Sequence, residues 1–206
     1  MKIKTLTLGP LQTNCYIAMD ETTCRAVVID PADNPGEILN ALAAMGGKVK
    51  YVILTHGHFD HMGAAEQLLS KTGARLVCHV KEAGSLSSPT MNLSASFGTP
   101  PITLAPDITV EEGEEIAFGE SSLKVIYTPG HTVGGMSLFA PGVVFSGDTL
   151  FYRSIGRSDF PGGDFETLIS SIKNKLFLLP KDTMVYSGHG PASTIGGEKR
   201  ENFYVR

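Results

Sequence analysis

Three histidines and an aspartate stand within six residues in His56-Gly57-His58-Phe59-Asp60-His61, directly after the apolar, β-branched run VKYVIL. Imidazole and carboxylate together suit divalent metals, zinc first and manganese or iron as well. Alternate side chains of extended backbone share a face, so His56 and His58 can point the same way. Gly57 lets the chain bend, and the turn beyond it aims Asp60 and His61 at a neighbouring point. One short loop can therefore feed two metal positions.

A metal needs further ligands, and three candidates recur in one setting. His131 lies in TPGHT after KVIY, Asp148 in SGDT after GVVF, and His189 in SGHG after TMVY. Each follows an apolar strand-like run and adjoins glycine, where a side chain reaches into a loop-lined cleft. A lone histidine after a strand is more often a surface or packing residue, but five of the six histidines here share such a context. The sixth, His79, has no glycine neighbour or companion ligand and is read as structural or as a support behind the ligands. Structural zinc sites favour cysteine and close with four ligands. Seven His and Asp groups without cysteine predict an open, catalytic site for two divalent metal ions.

The elements that must position these residues are legible in outline. Residues 3–8, 15–19 and 26–29 are short apolar runs between turn residues, as strands are. Pro35 opens a helix-spaced stretch stopped by Gly46-Gly47, and a second runs through AAEQLLSKT to Gly73. Residues 76–79 form the next strand. From Thr109 the pattern is strands, with a hairpin expected about Gly113 in VEEGEEI. A helix is expected over 165–177, capped by Asp164. A last strand precedes His189, followed by a short basic tail. Residues 87–106 hold four prolines and no charged side chain, which leaves two readings: a cover for a binding site, or an ordinary insertion with a short helix.

In this order, T-H-x-H-x-D-H, P-G-H-T, G-D-T and G-H-G resemble the metallo-β-lactamase superfamily from end to end of the chain. The resemblance implies an α+β fold, a four-layer αββα sandwich with a dinuclear site along the edge of two sheets. It implies that His56, His58 and His131 hold one metal, that Asp60, His61 and His189 hold the other, and that Asp148 bridges them. True β-lactamases mostly lack an aspartate at that bridging position. Gly147-Asp148-Thr149-Leu150-Phe151 followed by Ser154-Ile155-Gly156-Arg157 looks most like glyoxalase II and its short bacterial relatives.

That likeness implies thioester hydrolysis, with the metals lowering the pKa of a shared water and polarising the carbonyl. Asp60 and Asp148 are its catalytic carboxylates. A thiolate, with a parent pKa of ~8.5, can depart without a general acid. Arg157 matches the position that holds a glutathione carboxylate, and Arg153, Lys199 and Arg200 are weaker candidates. Departures from the family pattern are the Gly190-Pro191 pair, in place of an aromatic residue, and the lack of a C-terminal helical glutathione-binding domain. The alternatives within the fold are a mononuclear iron persulfide dioxygenase and a lactonase.

Composition bounds the rest. A chain of 206 residues, 42% apolar and 18% charged, is expected to form one domain with a substantial core. Its net charge of −4 argues against nucleic acid as a general partner. No apolar run suits a signal peptide or a membrane span, so a cytoplasmic location and a small-molecule thioester partner are expected. Cys15, Cys24 and Cys78 form no C-x-x-C pair and read as small hydrophobes.

Overall fold

Apolar side chains on both faces of a run mark a strand covered on both sides, and this chain builds two such sheets. The computed structural model describes residues 1–98 and 100–206. Lys2–Leu8 (β1) and Thr13–Met19 (β2) pair antiparallel, and Arg25–Ile29 (β3) extends the pairing beside β2. The direction then changes. Pro35–Met45 (α1) crosses to Lys48–Ile53 (β4), and Phe59–Met62 (α2) with Ala65–Thr72 (α3) crosses to Arg75–His79 (β5). β3, β4 and β5 are parallel neighbours, which is why helices must join them. The short Ala83–Leu86 (α4) follows, and Ile108–Val110 (β6) closes the first sheet in simple order β1 to β6.

The second sheet is built from Glu115–Phe118 (β7), Ser121–Tyr127 (β8), Met136–Ala140 (β9) and Val143–Gly147 (β10). A small ribbon, Leu150–Phe151 (β11) with Ser154–Ile155 (β12), leads to Phe165–Asn174 (α5). Met184–Ser187 (β13), Ser193–Thr194 (β14) and Ile195–Glu201 (α6) complete the chain's elements, and the sheet order is β14-β13-β10-β9-β8-β7. The α5 cap is as expected: the Asp164 carboxylate accepts from Thr167 N at 2.8 Å.

Alternation along the strands divides the core. In β2, Cys15 and Ile17 face one way and pack with Ile38 and Leu42 of α1 and Leu68 of α3. Tyr16 and Ala18 face the other way and meet Phe118, Leu138 and Phe145 of the second sheet. Behind that sheet, Val144 and Val185 pack on Leu168 and Ile172 of α5 and Ile195 of α6. The result is helix, sheet, sheet, helix: the expected αββα sandwich. Cys15 and Cys78 are buried in the first layer and all three cysteines are unpaired. Among the described residues no helix is long and apolar enough to cross a membrane.

One expectation needs correction. No hairpin forms about Gly113: β6 pairs with β5 in the first sheet and β7 with β8 in the second. A turn does form, with Glu114 N donating to Glu111 O at 3.3 Å, but it carries the chain between sheets. The hairpin instead turns at Gly119-Glu120, where Gly119 has φ +75°. The basic tail carries α6, which the sequence reading did not identify. Thr194 caps α6, Ile195 is buried, and the Glu198 carboxylate holds Arg153 N and the Asn202 amide, each at 2.9 Å.

Candidate metal centre

β4 runs parallel between its neighbours and delivers its C-terminal end to the seam between the sheets, where Met136 N donates to Thr55 O. His56 to His61 turn there into the four residues of α2. Asp148 follows β10, His189 follows β13 and His131 follows β8. All seven residues picked out by spacing therefore meet at one edge of the sandwich.

They gather as two triads. The ligand atoms of His56, His58 and His131 all lie within 4.8 Å of one another, and so do those of Asp60, His61 and His189. Asp148 touches both sets. Its Oδ1 is 3.3 Å from His61 Nε2, and its Oδ2 is 3.5 Å from His189 Nε2 and 3.6 Å from His131 Nε2. Asp60 Oδ2 lies 3.3 Å from His189 Nε2 and accepts from the Thr13 hydroxyl at 3.0 Å.

The hydrogen bonds behind the rings decide which nitrogens face inward. His131 Nδ1 lies 2.6 Å from Arg157 O and His189 Nδ1 lies 3.2 Å from Leu11 O, and a carbonyl can only accept. His61 Nδ1 lies 3.0 Å from Asp30 Oδ2. Each Nδ1 therefore carries a hydrogen, and Nε2 of the neutral ring presents a lone pair to the cluster. Bare lone pairs facing carboxylates repel unless a cation lies between them. Nε2 of His56, His58 and His61 and Oδ1 of Asp148 are buried with no hydrogen-bond partner. Orphaned buried polar atoms beside two triads whose ligand atoms lie within 4.8 Å of one another are what a metal cage requires, so the residues fit divalent ions.

Proton affinities follow the same division. Burial and the neighbouring His61 and His131 rings push His56 well below the usual imidazole range, and burial beside His131 lowers His58 to about 3. Burial also lowers His131. At His61 burial opposes charge, but Asp148, Asp60 and Asp30 outweigh it and raise its pKa strongly. At His189 burial is likewise outweighed, by Asp148 and Asp60, which raise it to about 9. Burial would raise both carboxylates, yet His61 with His189 holds Asp60 at about 2 and keeps Asp148 well below the usual carboxylate range.

Two supporting carboxylates escaped the sequence reading. Asp30, at the end of β3, accepts from Thr55 N at 2.8 Å and Thr55 Oγ1 at 2.7 Å as well as from His61. Its place, AVVID, is the same strand-end setting that marks His131 and Asp148, and that signal could have found it. Glu82 is fully buried and accepts from Gly57 N at 2.9 Å, Thr132 Oγ1 at 3.0 Å and Gly134 N at 2.7 Å. It ties the loop of His56 and His58 to that of His131. Gly188 is needed for close approach: a Cβ there would lie 2.0 Å from Asp148 Oδ1.

A cleft of about 350 Å³ opens on the cluster. Its walls include Phe59, Leu93, Phe97, Phe151, Ile155 and Phe160. Phe59 stacks on Phe97, with ring centroids 5.1 Å apart. The segment 87–106 thus supplies wall residues, and holds no helix or strand among its described residues; Thr99 lies outside them. Asn92 fastens it, its carbonyl accepting from Phe59 N at 2.9 Å. Arg157 lies at the cleft, its guanidinium 4.2 Å from the Phe160 ring and held by Asp159 at 2.9 and 2.7 Å. Arg153 does not line the cleft and pairs with Glu201. Lys199 and Arg200 lie on α6, also outside the cleft lining. His79 stacks on Tyr127, centroids 4.3 Å apart, and does not reach the cluster.

A model of the metallo-beta-lactamase superfamily matches residues 8–189. Hydroxyacylglutathione hydrolase GloC of Haemophilus influenzae is 36% identical over all of this chain and 98% of its own. Among solved structures, BLEG-1 B3 metallo-beta-lactamase superposes with a TM-score of 0.94 at 36% identity, over 99% of both chains. TTHA1623 in a di-iron-bound form gives a TM-score of 0.88 at 35% identity, over 98% of this chain and 99% of that one.

Proposed function

The chain belongs to the metallo-beta-lactamase superfamily, and from that premise we propose that it hydrolyses glutathione-type thioesters at a dinuclear site. His56, His58 and His131 hold one ion, Asp60, His61 and His189 the other, and Asp148 both. Two divalent ions held there supply an activated water and a Lewis acid for the acyl oxygen. We take the ions to be zinc. Iron deserves a parallel preparation, because one structural relative is described as di-iron-bound.

The observation that carries the thioester reading is the cleft lining. Its titratable side chains are the ligands themselves and Arg157, which does not release a proton at neutral pH; the remainder are apolar. Among the described residues no lining group is free to protonate a leaving atom. The reaction must then expel a group that leaves as an anion, and a thiolate does so readily while an amine does not. Water oxygen bonds to the acyl carbon, the C–S bond breaks, and sulfur departs with the electron pair. Asp60, at the cleft wall, is placed to hold a proton of the attacking water. Arg157 takes a carboxylate of the thiol limb. GloC, by its name, is a hydrolase of this kind. No nucleic acid or membrane enters this reading.

The test is turnover of S-lactoylglutathione by metal-quantified protein, with Asp148→Ala as control. About two metals per chain and turnover by wild type alone are expected. The thioester should exceed a β-lactam in kcat/KM by roughly 100-fold or more, the usual worth of a general acid this cleft lacks. One iron per chain with oxygen uptake would replace the reading with a persulfide dioxygenase. Lactone opening without thioester turnover would make the chain a lactonase.

A further inference from the structure

A second groove, of about 340 Å³, opens beside the first. It is lined by Leu8, Pro10, Ala32, Pro100 and Ile102, with the exposed Asp33 on its wall. Leu11, Phe59 and Asp60 line both grooves, so the two adjoin across a wall that carries one carboxylate of the metal cluster. The shared wall is anchored. Leu11 O lies 3.2 Å from His189 Nδ1, and Phe59 N donates to Asn92 O at 2.9 Å.

A scissile carbonyl divides its substrate into two limbs, and two grooves diverge from this cluster. They differ in what they tolerate. The first carries Arg157 and the aromatic wall; the charged side chain that lines the second and not the first, Asp33, is acidic. An anionic limb is repelled from the second groove, while an alkyl limb gains from its apolar walls.

We propose that the groove beside Leu8, Pro10 and Ile102 is an acyl subsite that takes the unbranched apolar limb of an acyl thioester, the thiol limb lying along Phe97 and Phe160 toward Arg157. This deepens the thioester reading and rests on it. A lactoyl group is short and polar and leaves the groove unfilled, so longer saturated acyl groups are the better substrates. The products are the chain's carboxylate, a thiol and a proton.

Alkylhydroxamic acids from two to eight carbons, whose head groups bind divalent metals, read the groove without turnover. Calorimetry on the zinc-loaded full chain should show affinity rising roughly threefold for each methylene to about six carbons. Ile102→Trp, which narrows the groove, should flatten that slope. Ile102→Ala, which widens it, should extend the rise to longer chains and serves where the tryptophan variant does not fold. Acyl-glutathiones of the same lengths should follow the same order in kcat/KM. A flat series in wild type, or a slope that neither Ile102 variant alters, overturns the subsite. An Ile102-dependent slope without hydrolysis of any acyl-glutathione upholds the apolar subsite and overturns the thioester reading instead.

Discussion

As a ligand in the proposed site, His189 sets terms for metal binding by itself. With its pKa raised to about 9, His189 carries a proton at pH 7.5 in metal-free protein, and that proton must leave before Nε2 can ligate. Metal affinity is therefore expected to fall about tenfold per pH unit below 9 from this group alone. Binding heats measured in buffers of different ionisation enthalpy should reveal protons released; buffer-independent heats would contradict the assignment. Arg157 offers a different test. Its guanidinium is exposed and shared with Asp159, so Arg157→Ala should raise KM for an anionic thioester about threefold to tenfold, less at high salt, with kcat nearly unchanged. An unaltered KM would make Arg157 a surface charge only. At this scale the seven clustered residues were legible because each stands at a strand end beside glycine or another candidate. Asp30 shares the strand-end setting but has no glycine or companion ligand beside it, and Glu82 has no spacing signature at all. Their roles appear only when distant loops are brought within 3 Å.

Between elements, Glu82 acts as a strut. It leaves β5 and accepts from the loops after β4 and β8, and a Cβ on Gly134 would lie 2.3 Å from Glu82 N. Glu82→Gln substitutes one amide for an acceptor, so at least one of three bonds is lost. The expected result is a 10- to 100-fold weaker hold on the metal of His56, His58 and His131, with Glu82→Asp retaining part of it. Competition with a chromogenic chelator measures this, and unchanged metal affinity would reduce Glu82 to packing. Helices and central strands were readable from periodicity because Ile38 and Leu42, or Val27 to Ile29, are buried in register with their elements. Local pattern could not say that the strands flanking Gly113 belong to different sheets, since alternation carries no address for the partner. Nor did IGGEKRE announce α6, having two glycines and one large apolar residue.

The whole molecule places four buried imidazoles, the partly exposed His189 and two carboxylates at the seam of its sheets, and the metal-free protein should register that. His56, His58 and His131 have depressed folded pKa values, so below the unfolded value near 6.5 the unfolded chain binds protons that the folded chain refuses. Their contribution is present above about 6.5 and is lost as pH falls toward the folded values, about 3 for His58. Each group removes up to roughly 1.4 kcal/mol per pH unit over that span. His61 and His189 act oppositely, contributing below 6.5 and losing it as pH rises through their folded values, about 9 for His189. Urea midpoints of metal-free protein should therefore drop from pH 6.5 to 4, and added zinc should raise them at pH 7.5. A midpoint flat with pH would mean the rings are solvated. The seam is also locked from the far ends of the chain: the Asn14 amide holds Ser187 O at 3.0 Å and Gly190 O at 2.9 Å, and Thr13 bridges to His189. That latch has a consequence in time. During synthesis the histidine-rich loop emerges long before His189, and the proposed second cation position cannot be closed until the segment after β13 docks against the first hairpin. Long-range closure of this kind is slow. For the proposed site the nascent loop is thus an incomplete chelator, and selection between ions falls to the finished fold.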